Sequence, residues 1–140
     1  MGGKKQKVLI CGPVKSKLSA LSAKLSSLNS SKAGPFDVCF CCGPFLAASS
    51  EPQRSETDKL MDGTIAMPIK VFFQDIGAPS KAVSDVIDEA TNPYSSNGTA
   101  SNGAIKIADN CHYLGSNCGL ANVENLVVSW VGKNASQVRW

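Results

Sequence analysis

The sequence predicts an α/β protein with a mostly parallel first sheet, and three observations carry that prediction. Lys7-Val-Leu-Ile-Cys-Gly12 runs four apolar residues without a polar break and ends on glycine, as a strand buried on both faces does. Leu18, Leu21, Leu25 and Leu28 then recur at spacings of three and four, which places them on one face of a helix. A second apolar run follows over Phe36–Gly43. Strand, glycine turn, helix, strand is a βαβ unit with an expected right-handed crossover. Ligands of such sheets bind at the carboxyl ends of strands, so a site is expected where Gly12-Pro13-Val14-Lys15 meets Cys42-Gly43-Pro44-Phe45.

Residues 1–6 are basic and polar and read as a flexible N-terminus, and the folded domain spans 7–136. Helix 1 is expected to begin at Ser16, a good N-cap, and to end in Asn29-Ser30-Ser31. Ala33-Gly34-Pro35 turns into strand 2, Phe36–Cys42, which is expected in the middle of the sheet. Leu46–Gly63 is polar and reads as a loop followed by a short helix over Ser55–Met61. Strand 3 is Ile69–Phe73, closed by Gln74-Asp75-Ile76-Gly77. Ala78-Pro79-Ser80 opens a helix with Val83, Val86 and Ile87 inward. Residues 92–103 have almost no apolar content and read as a mobile loop. Ile105–Ile107, Cys111–Leu114 and Leu126–Val131 are strands whose hairpin pairing would start a second sheet. Only Lys133–Trp140 follow, with no closing helix, so the reading is a domain truncated at its C-terminal side with an exposed edge.

At 140 residues, 43% hydrophobic and 18% charged, the chain reads as one domain, or part of one, with a real core, not a disordered tail or a coiled coil. A net charge of +3 does not by itself argue for nucleic acid. No apolar run approaches the roughly 18 residues of a membrane span, no signal peptide opens the chain, and Gln6 breaks the pattern that would lipidate Gly2. No membrane partner is expected. Of six cysteines, Cys11, Cys39, Cys41 and Cys42 lie in the predicted buried strands, where cysteine acts as a small hydrophobe. The compartment reads as reducing, cytosol or nucleus.

The motifs exclude more than they assign. Gly12–Lys17 sits where a phosphate loop would, but neither a P-loop nor a dinucleotide fingerprint is present. The helix start with its lysines could attract an anion, or be a plain turn. Cys111-His112 with Cys118 suggests zinc by residue type, yet the spacing is wrong and a fourth ligand is missing. Cys39-x-Cys41-Cys42 does not easily supply a tetrahedral set, because alternate strand residues face opposite sides. No metal and no other cofactor is expected. His112 is the only histidine and lies away from the strand ends, which argues against a Ser–His or Cys–His hydrolase.

Taken in order, several segments resemble the N-terminal domain of the CwfJ family, the Cwf19-like splicing factors related to the lariat-debranching-enzyme-associated protein. The carriers are Lys7–Gly12, Gly34-Pro-Phe-Asp37, Cys42-Gly-Pro-Phe45, Pro68–Phe73, Asn110–Gly115, and Gly119-Leu120 followed by Leu126–Gly132. The resemblance runs from about Lys7 to about Ser136 and rests on order and spacing rather than on one motif. It implies a metallophosphoesterase-like αββα sandwich, incomplete here. True metallophosphoesterases carry Asp-x-His, Gly-Asp and Gly-Asn-His at three strand ends, and two hard metal ions there clamp phosphate and activate water. The matching places here are Gly12-Pro13-Val14, Gly43-Pro44 and Gln74–Gly77, so Pro13 and Pro44 replace carboxylates and Asp75 alone remains.

The expected protein is therefore a non-catalytic pseudo-metallophosphoesterase scaffold in pre-mRNA splicing and intron-lariat turnover. Its implied partners are the lariat debranching enzyme or late spliceosome proteins, with RNA reached through that complex, and its implied location is the nucleus. The expected partner-binding rim is Gly12, Pro13, Lys15, Gly43, Pro44, Phe45, Asp75 and Gly77, with Phe45 as an apolar anchor. Two alternatives stand beside it. One is a metal-dependent phosphodiesterase or nuclease with ligands from elsewhere. The other is an RNA-binding module using Lys4, Lys5, Lys7, Lys15 and Lys17.

Overall fold

The structure is a computed structural model that describes residues 5–91 and 104–115 and the backbone of 119–123 and 126–130. The expected loop at 92–103, and Lys4, Cys118 and 131–140, lie outside the described residues. The elements run β1 (Val8–Cys11), α1 (Leu18–Asn29), β2 (Val38–Cys41), α2 (Glu51–Met61), β3 (Lys70–Phe73), α3 (Lys81–Thr91), β4 (Ile105–Ala108), β5 (Cys111–Tyr113), β6 (Gly119–Val123) and β7 (Leu126–Trp130). Five strands form one sheet in the order β1-β2-β3-β5-β4. The β1–β2, β2–β3 and β3–β5 pairs are parallel and β4–β5 is antiparallel. The expected α/β class with a mostly parallel sheet therefore holds, and the architecture is consistent with an incomplete α/β sandwich.

Strand alternation sorts the side chains into two layers. On one face Cys39, Cys41, Val71, Phe73, Cys111 and Tyr113 pack with Leu18, Leu21 and Leu25 of α1, Leu60 of α2 and Val83 of α3. All three helices thus feed one core. Phe73 sits at its centre, stacked on Phe45 with ring centroids 3.9 Å apart and on Tyr113 at 5.7 Å. The other face carries a smaller cluster of Val38, Phe72, Ala104 and Leu114, with Phe40 packed against it.

Three expectations need correction here. β1 is not buried on both faces: it is the sheet's edge, and Ile10 is 69% exposed. The middle strand is β3, with β2 beside it. Ile105–Ala108 and Cys111–Tyr113 join the first sheet, and only β6 and β7 pair separately, as an antiparallel two-stranded sheet.

Helix ends also differ in instructive ways. α2 starts at Glu51 rather than near Ser55, because Ser50 and Gln53 form a capping box: the Gln53 backbone N–H donates to Ser50 Oγ, and Gln53 Oε1 accepts from the Ser50 N–H. Ser16 does not cap α1, whose cap position is Lys17 with no side-chain bond. Ser16 instead adopts φ 60° and turns its hydroxyl inward, where it is 1% exposed. Its Oγ donates to the Ala47 carbonyl at 3.0 Å, accepts from the Ala47 N–H at 2.8 Å and lies 2.9 Å from Thr57 Oγ1. The hydroxyl thus ties the turn after β1 to the segment before α2 and to α2 itself. Ser16→Ala strands these buried groups without changing volume much, and is expected to lose about 2–3 kcal/mol in urea unfolding.

His112 lies on the sheet face away from the helices and stacks on Phe72, centroids 4.8 Å apart. Burial, then the charges of Lys70 and Lys106, hold its imidazole below the ordinary 6.5. The folded state thus disfavours the proton that the unfolded chain accepts. The His112 contribution is present above pH 6.5 and is lost as pH falls through that value towards the depressed folded pKa. The urea midpoint should fall more between pH 7.5 and pH 5.5 in the wild type than in His112→Phe, which keeps the stack and cannot charge.

Candidate functional site: the strand-end rim

The segments leaving β1, β2 and β3 at their carboxyl ends are zipped together by backbone hydrogen bonds. Val14 and Lys15 N–H groups both donate to the Pro44 carbonyl, at 3.1 and 3.0 Å, and Ser16 N–H donates to the Phe45 carbonyl at 2.9 Å. On the other side Phe45 N–H donates to the Asp75 carbonyl at 2.9 Å and Leu46 N–H to the Ile76 carbonyl at 3.0 Å. The returning chain closes the register, with Ala78 N–H donating to the Leu46 carbonyl at 2.9 Å. The three loops therefore continue the sheet as a rigid rim.

The expected site residues come together in this rim, in unequal roles. Gly12, Pro13 and Lys15 are exposed, and Gly43, Pro44, Asp75 and Gly77 are half-buried. Lys15 holds φ 49°. Gly43 has φ +88°, and a side chain there would meet the Pro13 ring at 2.8 Å, so a glycine lets the first two loops touch. Asp75 accepts the Gly77 N–H at 3.0 Å, folding its own turn. Phe45 is corrected: its ring is 0% exposed and stacked in the core, so it is not a surface anchor. Beside the rim lies an open, shallow groove of about 580 Å³, lined by Lys15, Pro44, Gly77, Ala48, Ser49 and Gln53 among others. Its walls are small side chains, and sequence reading missed it because Ala47–Ser49 looked like featureless loop.

Of the lysines expected in an RNA interface, Lys5, Lys7, Lys15 and Lys17 are exposed. Lys7 is structural in part: its Nζ donates to the Ala33 carbonyl at 2.9 Å, while its N–H donates to Asp37 Oδ2 at 2.8 Å. Cys111 and His112 cannot act as a pair, because the first faces the helix-side core and the second the opposite face. Burial pushes the Cys111 thiol up to about 12, that of an inert core residue. Cys42 is not in β2 but just beyond it, and exposed.

The structure also assembles a group the sequence reading kept apart. Cys39 and Cys41 share the helix-side face of β2, and Cys11 of β1 stands directly opposite Cys41 in the parallel register. Cys11 Sγ lies 3.1 Å from Cys41 Sγ. The signal was there in two consecutive strands that each end on a cysteine, but reading it needs the register.

Fold and rim define an α/β module with helices on one sheet face and strand ends closed by proline and glycine turns. No family model matches the chain. Over 97 residues, 69% of its length, the chain is 30% identical to the CWF19-like protein 1 homolog of Caenorhabditis elegans. The matched stretch is 17% of that protein's length. The similarity supports a Cwf19-like relationship for this chain.

Proposed function

We propose that this chain is a non-catalytic scaffold module, a pseudo-metallophosphoesterase that acts in pre-mRNA splicing and intron-lariat turnover in the nucleus. It would bind a spliceosomal or debranching-enzyme partner through the strand-end rim. The observation that carries the reading is the donor set at the strand ends. A two-metal phosphoesterase needs several carboxylates and histidines converging there. The described rim offers the Asp75 carboxylate, already accepting a turn hydrogen bond, and proline rings at the other two loops. A rigid rim with a shallow groove of small side chains suits a protein segment better than a phosphate, for which Lys15 is the one positive charge among the groove residues.

The test is capture of the tagged chain from nuclear extract, with and without ribonuclease, beside the groove variant Ala48→Arg. Splicing proteins retained after ribonuclease and lost in Ala48→Arg support the scaffold. Partners lost on ribonuclease treatment transfer the reading to RNA binding. Manganese-dependent phosphodiesterase activity that disappears in Asp75→Ala overturns it in favour of an enzyme.

A further inference from the structure

We propose that Cys11, Cys39 and Cys41 form a binding site for one thiophilic closed-shell cation, zinc or cuprous copper, set beneath the rim. Their Sγ atoms all lie within 4.8 Å of one another. Sulfurs bound to one metal at about 2.3 Å sit roughly 3.8–4.0 Å apart, so small side-chain rotations bring all three to bonding distance. The backbone fixes two of the constraints. Cys39 and Cys41 are two residues apart on one strand and therefore share a face, and β1–β2 register sets Cys11 opposite Cys41.

The donor set is chemically selective. Three thiols with no oxygen or imidazole among them favour soft cations over magnesium, calcium or manganese. Cys42, the next residue, is exposed and lies outside the group, so among the described residues three ligands come together. A three-sulfur set suits trigonal cuprous ion outright, and suits zinc with a water in its fourth place. Cys39 is 0% and Cys41 4% exposed, while Cys11 lies on the edge strand and is half-buried, which leaves a way in.

On binding, each S–H gives its proton to solvent and its electron pair to the metal, with no change of oxidation state. The site is separate from the strand-end donor set, so it makes no demand on the scaffold reading. A cation here would pin the edge strand to β2, where Ile10 leaves the sheet least covered.

The test uses the reduced full chain, titrated with zinc ion and separately with cuprous ion against a competing chelator, with cobalt(II) as the coloured stand-in for zinc. The expected result is one equivalent bound, with a thiolate charge-transfer band in the near ultraviolet. Retention of zinc or of copper against the chelator assigns the cation. Cys39→Ala should lose the band and at least tenfold in affinity, whereas Cys42→Ser and Cys118→Ser should keep both. Should Cys39→Ala fail to fold, native-state alkylation of the wild type decides: bound cation should slow labelling of Cys11 and leave Cys42 unchanged. No uptake of either cation, or uptake that survives Cys39→Ala and vanishes in Cys42→Ser or Cys118→Ser, overturns the proposal.

Discussion

Phe45→Ala is expected to lose about 3–5 kcal/mol of stability, the range for deleting a buried phenyl ring from a packed core. The ring is fully buried and lies flat on Phe73, 3.9 Å between centroids and 3° between planes. Phe73 in turn stacks on Tyr113, so the deletion removes one end of an aromatic row that spans β2's exit loop, β3 and β5 and leaves a void against its central ring. A domain of this size is stable by roughly 5–15 kcal/mol, so the loss removes a large share of it. Thermal unfolding should show a fall of about 10 °C or more. Phe45→Leu, which refills most of the volume, should lose about 1–1.5 kcal/mol. A Phe45→Ala protein that unfolds at the wild-type temperature would place the ring elsewhere. Lost partner capture in Phe45→Ala would report on folding, so Ala48→Arg is the sounder probe of the groove.

Phe45 also shows why sequence and structure part company. Its position after a strand-ending Cys-Gly-Pro was legible, and so was the expectation of a loop there. Its burial was not, because that depends on the hydrogen bonds from Val14 to Leu46 that keep the loops in sheet register beyond the strands. The βαβ start, α1, α3 and β3 were readable because their apolar spacing is local, whereas the polar α2 was read only in its second half. The exposure of β1 was not, since Val-Leu-Ile-Cys reads the same at an edge as in the middle, and only the strand order decides. The Ser50–Gln53 capping box was readable and marks α2's true start. The thiol cluster could not be read from one strand, because one of its members comes from the neighbouring chain segment and register alone brings it in. The open groove owes its shape to Ala47, Ala48 and Ser49, whose lack of bulk carries no pattern.

Gly77→Ala should be the most damaging single change at a rim position that is not in the core. Gly77 holds φ +76°, a region that costs an L-residue about 1–2 kcal/mol. Sterics add to that cost, because a β-carbon would run into the Leu46 carbonyl oxygen, and Leu46 and Gly77 face each other as a parallel bridge. The carbonyl must move, and with it goes the hydrogen bond it accepts from Ala78 N–H, worth about 1 kcal/mol. The expected loss is therefore about 3 kcal/mol in urea unfolding. It should be local as well as global. Amide exchange of Leu46 and Ala78 should rise well before that of the β2–β3 ladder, because the strain enters at the third loop and the ladder lies behind it. Gly12→Ala, where a β-carbon meets nothing within 4 Å, is the control and should change stability by less than about 0.5 kcal/mol. Equal losses at the two glycines would mean that the third loop is not held against Leu46, and the rigid rim on which the scaffold reading depends would dissolve with it.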